Sequence, residues 1–375
     1  MLSSTVVYSE DVTLNILYTG SLQGQLETCG CSPISDFGGM ARLAGFIKAN
    51  SDALSPYILI DAGNFASDDT RQGCMKTETL IKSLTHMKYD LIAMQDREGK
   101  LPAEYINPLM EESGLKFLGP DNRVTNLRRG NIDINLSTDI ELSRIGAVNI
   151  LLTGAAVGDI AALPDWQVVI SAAGEELETP VRRDANITTA GFPKGKRLGI
   201  LSLIINENKV LGYTHFWQPL GSDMQEDPDV RAILTSYDKK VAELYRDAYQ
   251  FEPGSTYVGV KKCAECHQIF FESWEDTRHA GAFASLQKVQ KDENPECVAC
   301  HVTGFGEKGG FYSVETTPGL KDIQCEACHG YNIEHLDDDT EPMNKVTEKV
   351  CLKCHTRENS PAFDYTEYSE KIKHW

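Results

Sequence analysis

The sequence predicts two domains of different class, an α/β domain with layered sheets and helices followed by a mainly α, loop-rich domain. Three observations lead to this prediction. The chain has 375 residues, which is more than a single hydrophobic core usually organises. Short apolar runs separated by helical patterns fill the first two thirds, and eight of the 11 cysteines lie in the last third.

The α/β domain is predicted from six apolar runs that are short enough to be buried strands. These runs cover residues 14–18, 57–61, 91–94, 148–152, 168–170 and 198–205. Helical patterns lie between several of them, at 39–49 and 77–86. Strands that alternate with helices in this way are typical of sheets covered by helices.

Apolar residues at helical spacing over 227–249 predict one long helix, and the sequence Pro-Gly-Ser at 253–255 ends it. We expect this helix to join the two domains. The predicted boundaries are therefore 1–225 for the α/β domain, 226–255 for the linking helix and 256–375 for the second domain.

The composition is that of an ordinary globular chain, with 41% hydrophobic and 24% charged residues. The formal net charge of -19 opposes binding to nucleic acid, because that binding needs a dense basic surface. The longest apolar runs, such as 198–205, are far shorter than a helix that crosses a membrane. The sequence therefore predicts neither a nucleic-acid partner nor a transmembrane segment in this chain.

Four repeats of the pattern Cys-x-x-Cys-His dominate the second domain. They are motif 1 (Cys263, Cys266, His267), motif 2 (Cys297, Cys300, His301), motif 3 (Cys325, Cys328, His329) and motif 4 (Cys351, Cys354, His355). Two thiols at this spacing can each add to one vinyl group of a haem, while the adjacent histidine binds the iron. Zinc ribbons are the alternative, but they place their cysteine pairs about 15–20 residues apart and need no histidine after every pair. The motifs therefore predict four covalently bound haem c groups.

Covalent haem also predicts the compartment, because haem of this type is generally attached outside the cytoplasmic membrane. We therefore expect a periplasmic or cell-surface protein. Residues 1–12 contain neither the basic region nor the apolar stretch of a signal peptide. The expectation is that this sequence is a mature or trimmed form.

The axial ligands of the irons can be counted from the sequence. Four six-coordinate irons need eight ligands, and the motif histidines supply four. Predicted helical pieces at 269–285 and 366–373, and the segment after motif 3, add His279, His335 and His374. Met343 is a thioether alternative, but it follows an acidic run and is expected in an exposed loop. One axial position is therefore left without a predicted ligand.

The second domain contains the segments YVGVKKCAECH, ESWEDTRHAGAF, CVACHVTGF, CEACHG and CLKCH. Over about 120 residues they resemble the tetrahaem cytochromes of the c-554 type. The resemblance implies a mainly helical domain in which closely packed haems, in parallel and perpendicular pairs, transfer electrons. It also implies that His279 and His335 are distal ligands and that the haem on motif 2 lacks a distal protein ligand.

The first domain contains the segments LNILYTGSLQGQLETCGC, GGMARLAGFI, YILIDAGNF, YDLIAMQDRE and GFPKGKRLGILSLII. Over residues 12–220 they resemble the metallophosphoesterase domain of nucleotidases. The sequence departs from that family at its metal ligands. Ser21 and Gln23 replace an Asp-x-His pair, Asn64 replaces an aspartate, and Gln-Asp-Arg-Glu at 95–98 replaces Gly-Asn-His-Glu.

Histidines are also too few for a hydrolytic centre with two metals, since residues 1–255 contain only His86 and His215. We expect the domain to keep the fold, to lack the catalytic metals and to hydrolyse no phosphate esters. A lone histidine is usually an exposed side chain. His86 or His215 could instead fill the open axial position. If one copy of the chain supplied this imidazole to the iron of another copy, the chains could link into a filament.

Three cysteines lie outside the motifs: Cys29, Cys31 and Cys74. In an oxidising compartment two of them would pair, and a bond within Cys-Gly-Cys would be strained. The expected bridge therefore joins Cys74 to one of the other two. Three buried free thiols, or a metal held by Cys29 and Cys31, are the alternatives.

The favoured hypothesis is an electron carrier whose first domain serves as a docking or assembly surface. Its expected partners are redox proteins, chiefly other cytochromes, and further copies of this chain. The alternative is a haem redox enzyme that binds a small nitrogen or sulfur substrate at an open iron. A phosphoesterase with an electron-transfer appendage is the third hypothesis, and the missing metal ligands argue against it.

Overall fold

The structure is a computed structural model that describes residues 10–28, 31–184, 186–248, 256–338 and 340–374. It divides into two compact units. The N-terminal unit comprises Met1–Thr28 and Phe37–Leu234, and the C-terminal unit comprises Cys29–Asp36 and Thr235–Trp375. The boundary falls within the helix predicted at 227–249, whose observed bounds are Pro228–Ala248. The predicted end of that helix at 253–255 lies outside the described residues.

The N-terminal unit contains two mixed sheets of six strands each. In chain order the strands are β1 (Val12–Thr19), β2 (Tyr57–Asp61), β3 (Leu91–Ala93), β4 (Phe117–Leu118), β5 (Val124–Arg129), β6 (Ile132–Ser137), β7 (Val148–Thr153), β8 (Val168–Ser171), β9 (Val181–Arg183), β10 (Asn186–Ala190), β11 (Arg197–Asn206) and β12 (Lys209–Pro219). The first sheet has the order β12-β11-β1-β2-β3-β4, and the second has the order β5-β6-β7-β8-β10-β9. The six predicted strands are confirmed as β1, β2, β3, β7, β8 and β11.

Strand pairing explains why these six runs are predominantly apolar. Strand β1 lies at the centre of the first sheet, parallel to β2 and antiparallel to β11, so that Ile16 is in register with Ile58 and Leu201. Strands β7 and β8 hold the same central place in the second sheet. Side chains from both sheets form one buried cluster, so the main core lies between the sheets.

Three helices connect the parallel strands of the first sheet: α1 (Met40–Leu54), α2 (Arg71–His86) and α3 (Ala103–Ser113). The Thr70 hydroxyl caps α2 by accepting a hydrogen bond from the Gly73 amide. Helix α3 ends where Gly114 adopts φ 67, a conformation that glycine reaches without a steric penalty. This connectivity brings the loops after β1, β2 and β3 to one edge of the sheet.

The C-terminal unit is built from short helices and loops, as predicted. After α4 (Pro228–Ala248), its helices are α5 (Val260–Ala264), α6 (Gln268–Glu275), α7 (Ala282–Lys288), α8 (Pro295–Val298), α9 (Cys325–His329), α10 (Ile333–Asp337), α11 (Glu348–Cys351) and α12 (Tyr365–Lys371). Helix α12 matches the piece predicted at 366–373. The prediction of one helix over 269–285 is wrong, because Thr277 takes an extended conformation between α6 and a 3₁₀ turn that precedes α7.

The buried apolar cluster of the C-terminal unit is small. It consists of Phe283, Leu286, Val298, Val302, Phe311 and Leu320. Within the described part of the chain, we find no helix with the length and apolar character needed to cross a membrane.

Candidate haem-binding site

Each motif in the C-terminal unit closes about one helical turn. The amide of His267 donates to the carbonyl of Cys263 at 2.9 Å, and His355 makes the same bond to Cys351. A turn of this kind brings the first cysteine and the histidine of a motif to the same side of the backbone. None of the eight motif cysteines is disulfide-bonded, so no S–S bond has to be broken before a motif attaches a haem.

The structure brings each of the three predicted distal histidines to a different motif histidine. The ring centroids of His267 and His335 are 5.8 Å apart with an interplanar angle of 7°. His329 of motif 3 pairs with His374, with ring centroids 6.0 Å apart and an interplanar angle of 82°.

The remaining pair joins motif 4 to the 3₁₀ turn before α7. The ring centroids of His355 and His279 are 6.2 Å apart at 57°. An imidazole nitrogen binds a transition metal ion at about 2 Å. Two imidazole rings on opposite sides of one ion therefore have ring centroids about 6 Å apart. All three pairs therefore have the spacing that a bis-histidine iron requires.

Backbone carbonyls fix the tautomer of several of these histidines. The Nδ1 atoms lie within hydrogen-bond distance of carbonyl oxygens in four cases: His301 and Ala282 (2.6 Å), His329 and Asn344 (3.1 Å), His335 and Glu341 (2.6 Å), and His374 and Ile372 (2.9 Å). A carbonyl can only accept, so Nδ1 carries the proton in each case. The lone pair is then on Nε2, which is the arrangement of a metal-binding histidine held by an outer hydrogen bond.

His301 of motif 2 differs from the other motif histidines. Among the described residues, no second imidazole ring packs against it; its neighbours are Ala282 and Ser285 of α7. Met343, the thioether alternative, lies in a loop without regular structure and is half-buried rather than exposed.

Cysteines of different motifs approach one another. The Cys263 thiol of motif 1 interacts electrostatically with Cys325 of motif 3, and Cys300 of motif 2 interacts in the same way with Cys354 of motif 4. Cys328 of motif 3 interacts electrostatically with Cys351 of motif 4. The contacts place the motifs in the spatial order 1-3-4-2.

Aromatic rings surround the histidines. Phe270 stacks on His267 at 5.7 Å and also contacts His374 at 5.6 Å, so it lies between motifs 1 and 3. Phe363 stacks on His355 at 4.9 Å. Burial lowers the pKa of His355, and burial together with the neighbouring His355 lowers the pKa of His279. Neutral imidazoles in aromatic surroundings, beside paired thiols, fit the chemistry of covalently bound haem.

The residues that stand in place of phosphoesterase metal ligands also come together, at the carboxyl ends of β1, β2 and β3. Ser21 Oγ accepts a hydrogen bond of 2.8 Å from Gln23 Nε2. Asn64 Nδ2 donates to the carbonyl of Ala172 at 2.8 Å, and its Oδ1 accepts from the amide of Arg97 at 3.0 Å. These side chains are thus bonded to one another or to the backbone.

Glu98 is the buried acid of this corner. Its carboxylate accepts from the amides of Asn64, Ala66 and Gln95 at 2.8–3.0 Å, and burial raises its pKa. Three positions here, Ser21, Gln23 and Asn64, have φ between 53 and 57, in the left-handed region that is sparsely used by residues other than glycine. The corner keeps strained loops of the kind found at functional sites, but its polar groups bond within the protein.

Among the described residues, one group of three His, Cys, Asp or Glu side chains has metal-ligand spacing: His86, Asp227 and Asp229. It lies at the end of α2 and the start of α4, away from the strand ends. His86 Nε2 is 3.2 Å from Asp227 Oδ1, and Lys48 pairs with the other oxygen of Asp227 at 2.8 Å. His86 would have to leave this ion pair to bind an iron.

His215 lies inside β12. Its Nε2 is 2.8 Å from the Tyr18 hydroxyl, which is also 2.7 Å from Thr189 Oγ1. Burial lowers the pKa of His215 to about 4. It too has a partner within the N-terminal unit.

The predicted disulfide of Cys74 is wrong. Cys74 carries a free thiol, whereas Cys31 is disulfide-bonded. Cys74 belongs to α2. The prediction rested only on the strain of a bond within Cys-Gly-Cys, which says nothing about where α2 lies. Cys29 lies outside the described residues.

Sequence reasoning missed Phe270, Phe363 and Ser285 as neighbours of the motif histidines. Phe270 had a signal, because it follows His267 by three residues and so lies on the same side of the helical turn. Phe363 and Ser285 had none, because their contacts depend on how distant segments fold together.

Residues 262–330 match the family described as cytochrome c554 and c-prime. The curated cytochrome c-554 of Nitrosomonas europaea is 40% identical over 89 residues, which cover 20% of this chain and 38% of that protein. The match thus spans well under half of the relative's length.

Solved structures similar to this chain include a 5'-nucleotidase precursor and a calcineurin-like phosphoesterase. The 5'-nucleotidase precursor of Thermus thermophilus has a TM-score of 0.55 at 12% identity, covering 74% of this chain and 68% of its own. The calcineurin-like phosphoesterase YfkN of Bacillus subtilis has a TM-score of 0.51 at 12% identity, covering 62% of this chain and 98% of its own. At such identities the likeness shows the fold alone. The C-terminal unit thus contains a segment similar to cytochrome c554, and the N-terminal unit has the α/β fold of nucleotidase-type phosphoesterases.

Proposed function

We propose that this chain is a c-type cytochrome that carries electrons through four covalently bound haems. The observation that carries the proposal is the pairing of three non-motif histidines with three different motif histidines, each at about the spacing of two ligands on one iron. The similarity of residues 262–330 to cytochrome c554 supports the same function. Bound haem supplies the one-electron ferric–ferrous couple.

The side chains divide into four ligand sets. His335 completes the site of motif 1, His374 that of motif 3 and His279 that of motif 4, while His301 serves motif 2 alone. The cysteines of each motif hold the haem covalently. Carbonyl bonds to Nδ1 orient rings in the sites of motifs 1, 2 and 3.

The thiol contacts supply the proposed route. Haems bound to motifs whose cysteines interact would be neighbours in the chain of transfer, so the proposed order follows the motif order 1-3-4-2 or its reverse. Motifs 1 and 2 are the two ends of this route. Electrons enter at one end and leave at the other, toward redox partner proteins such as other cytochromes.

The proposed location is outside the cytoplasmic membrane, in the periplasm or at the cell surface, because haem of this type is attached there. The N-terminal unit then acts as a docking or assembly surface rather than as a hydrolase. The hydrogen-bonded Ser21, Gln23 and Asn64, which stand in place of metal ligands at the strand ends, argue for this role and against hydrolysis.

Haem content is the first test. An alkaline pyridine spectrum should give about four c-type haems per chain, and denaturing mass spectrometry should show them still attached. Zinc in place of iron, or fewer haems than motifs, would contradict the proposal.

Ligand replacement is the second test. Changing His335, His374 or His279 singly to Ala should each convert one low-spin ferric haem to a high-spin one in the electron paramagnetic resonance spectrum. His86→Ala and His215→Ala are matched controls that should leave the spectrum unchanged. A new high-spin signal in either control would assign that histidine to the iron of motif 2 and reopen ligation between copies.

A second function is favoured by the lone ring of His301. An iron with one histidine ligand could bind a small nitrogen or sulfur substrate, which would make the chain a haem redox enzyme. The test is turnover of nitrite or sulfite by the reduced protein, together with one high-spin haem in four. Binding without turnover would leave the electron carrier as the better description.

Hydrolysis is the remaining activity to test. Nucleotide and sugar-nucleotide hydrolysis should be undetectable even with added divalent metals, because the ligands of a two-metal centre are replaced. Turnover that a chelator abolishes and manganese restores would show that the N-terminal unit still binds metals.

A further inference from the structure

Three polar groups meet beside the histidine of motif 2. The Nδ1 atom of His301 lies 2.6 Å from the carbonyl oxygen of Ala282. The Ser285 hydroxyl donates to the same oxygen at 2.6 Å, and its Oγ is 3.3 Å from His301 Nδ1. The carbonyl of Ala282 is therefore shared by two donors, an imidazole N–H and a hydroxyl.

Helix α7 holds this arrangement in place. Phe283 and Leu286 are buried in the apolar cluster of the C-terminal unit, and the Phe283 amide donates to Asp322 Oδ1 at 2.8 Å. Ser285 itself is exposed. Its side chain can therefore be changed without opening the core, and the backbone of Ala282 stays where the core fixes it.

Sharing one oxygen weakens each of its hydrogen bonds, because each donor withdraws electron density that the other needs. The bond from His301 Nδ1–H is the one that matters for a metal ligand, since a stronger bond makes the imidazole more basic at Nε2. The Ser285 hydroxyl thus limits the basicity of His301. Ser285 Oγ also lies 3.3 Å from His301 Nδ1 and could accept from its N–H, which would raise the basicity of the ring. This contact is longer than the two bonds to the carbonyl, so its effect is weak.

We propose that Ser285 is a positioning residue that sets the electronic character of the haem on motif 2 by sharing the Ala282 carbonyl with His301. The inference rests on the proposed function. The effect should be largest at this site because the pairs of motifs 1, 3 and 4 have a second imidazole that contributes to the iron, whereas none packs against His301 among the described residues. More basic histidine ligands favour ferric over ferrous iron.

The experiment compares the haem-loaded Ser285→Ala variant with the haem-loaded wild-type protein. Resonance Raman spectra of the reduced protein isolate this site, because the iron–histidine stretching band comes from five-coordinate ferrous haem and not from bis-histidine haem. In Ser285→Ala the band should move to higher frequency. The equilibrium constant for reduction of this haem should fall by about 2- to 10-fold, the effect of one neutral hydrogen bond.

Two matched variants control for the loss of a helix hydroxyl. Ser285→Thr keeps a hydroxyl that can bond the same carbonyl and should restore the band to the wild-type position. Ser369→Ala removes a hydroxyl that bonds the Thr366 carbonyl at 3.1 Å, three residues back in α12, and should leave the band unchanged.

The outcomes separate this inference from the proposed function. Four haems per chain with an unshifted band in Ser285→Ala would overturn the role of Ser285 alone. So would a wild-type protein without the band, because His301 would then share its iron with a second ligand. Fewer than four haems would overturn the proposed function itself.

Discussion

The two units of this chain bury apolar surface in different ways. In the N-terminal unit, side chains from two six-stranded sheets form one continuous core. In the C-terminal unit the buried cluster has six members, while Ile269 and Leu352, beside motifs 1 and 4, are 77% and 47% exposed. The N-terminal unit can therefore draw its stability from its own side chains, whereas the C-terminal unit needs apolar surface from bound groups.

The largest expected effect comes from withholding haem. In a chain with all eight motif cysteines changed to Ala, residues 256–374 should lose most of their protection against hydrogen exchange, because a buried apolar cluster this small cannot offset the chain entropy. Strands β1 and β11 should stay protected. Mass spectrometry of exchanged peptides measures both. Full protection of the C-terminal helices in the haem-free chain would break the contrast between the units.

A core substitution in the N-terminal unit should destabilise that unit and leave the C-terminal unit unchanged. Ile16→Ala, in the centre of the first sheet and fully buried, should lower the free energy of unfolding of that unit by about 2–5 kcal/mol. The haem absorbance should not change. Denaturant unfolding followed by circular dichroism and by haem absorbance separates the two. Ile145→Ala, at a fully exposed side chain, is the control and should cost less than about 0.5 kcal/mol.

Within the C-terminal unit, the ion pair between Asp238 and Lys291 should contribute less to the free energy of unfolding than the buried Ile16 does in the N-terminal unit. Asp238 of α4 pairs with Lys291 and accepts from Asn294 at 2.9 Å, and the paired side chains are 13% and 16% exposed. Asp238→Ala leaves the ammonium group with less compensation and should cost about 1–3 kcal/mol, measured by denaturant unfolding at the haem bands. Glu265→Ala breaks the exposed pair with Lys262 and should cost well under about 1 kcal/mol. Equal losses would show that burial does not govern these pairs.

A pH dependence of the N-terminal unit is also expected. The pKa of His215 is lowered from its ordinary 6.5 to about 4 by burial, so the unfolded chain binds a proton at this residue before the folded one does. Stability should therefore fall as the pH is lowered from about 6.5 to about 4. His215→Phe should remove this contribution.

The measurement is the difference in unfolding free energy between variant and wild type across that range. The difference is needed because Asp61 acts in the other direction. Burial raises the pKa of its carboxyl to about 7, so it gains a proton in the folded state first on acidification and adds stability. A difference that does not vary with pH would contradict the assignment to His215.

Local patterns account for what could be predicted of the fold. The six predicted strands are predominantly apolar runs, which are largely buried and can be recognised without knowledge of their neighbours. Strand β10 was missed because Asn186, Thr188 and Thr189 are polar, yet they are buried between β8 and β9. Strand β12 was missed because it is an edge strand with exposed residues such as Leu211 and Phe216.

The sequence by itself determined the haem attachment motifs, the mainly helical character of the C-terminal unit and the replacement of metal ligands at the strand ends. These features depend on residue types at short spacing, which the chain carries with it whatever its fold. Tertiary structure decided which of the three predicted distal histidines meets which motif histidine, that no described imidazole packs against His301, and that Cys74 stays free. Each of these depends on contacts between residues far apart in the chain, and such contacts are fixed only when the intervening segments pack.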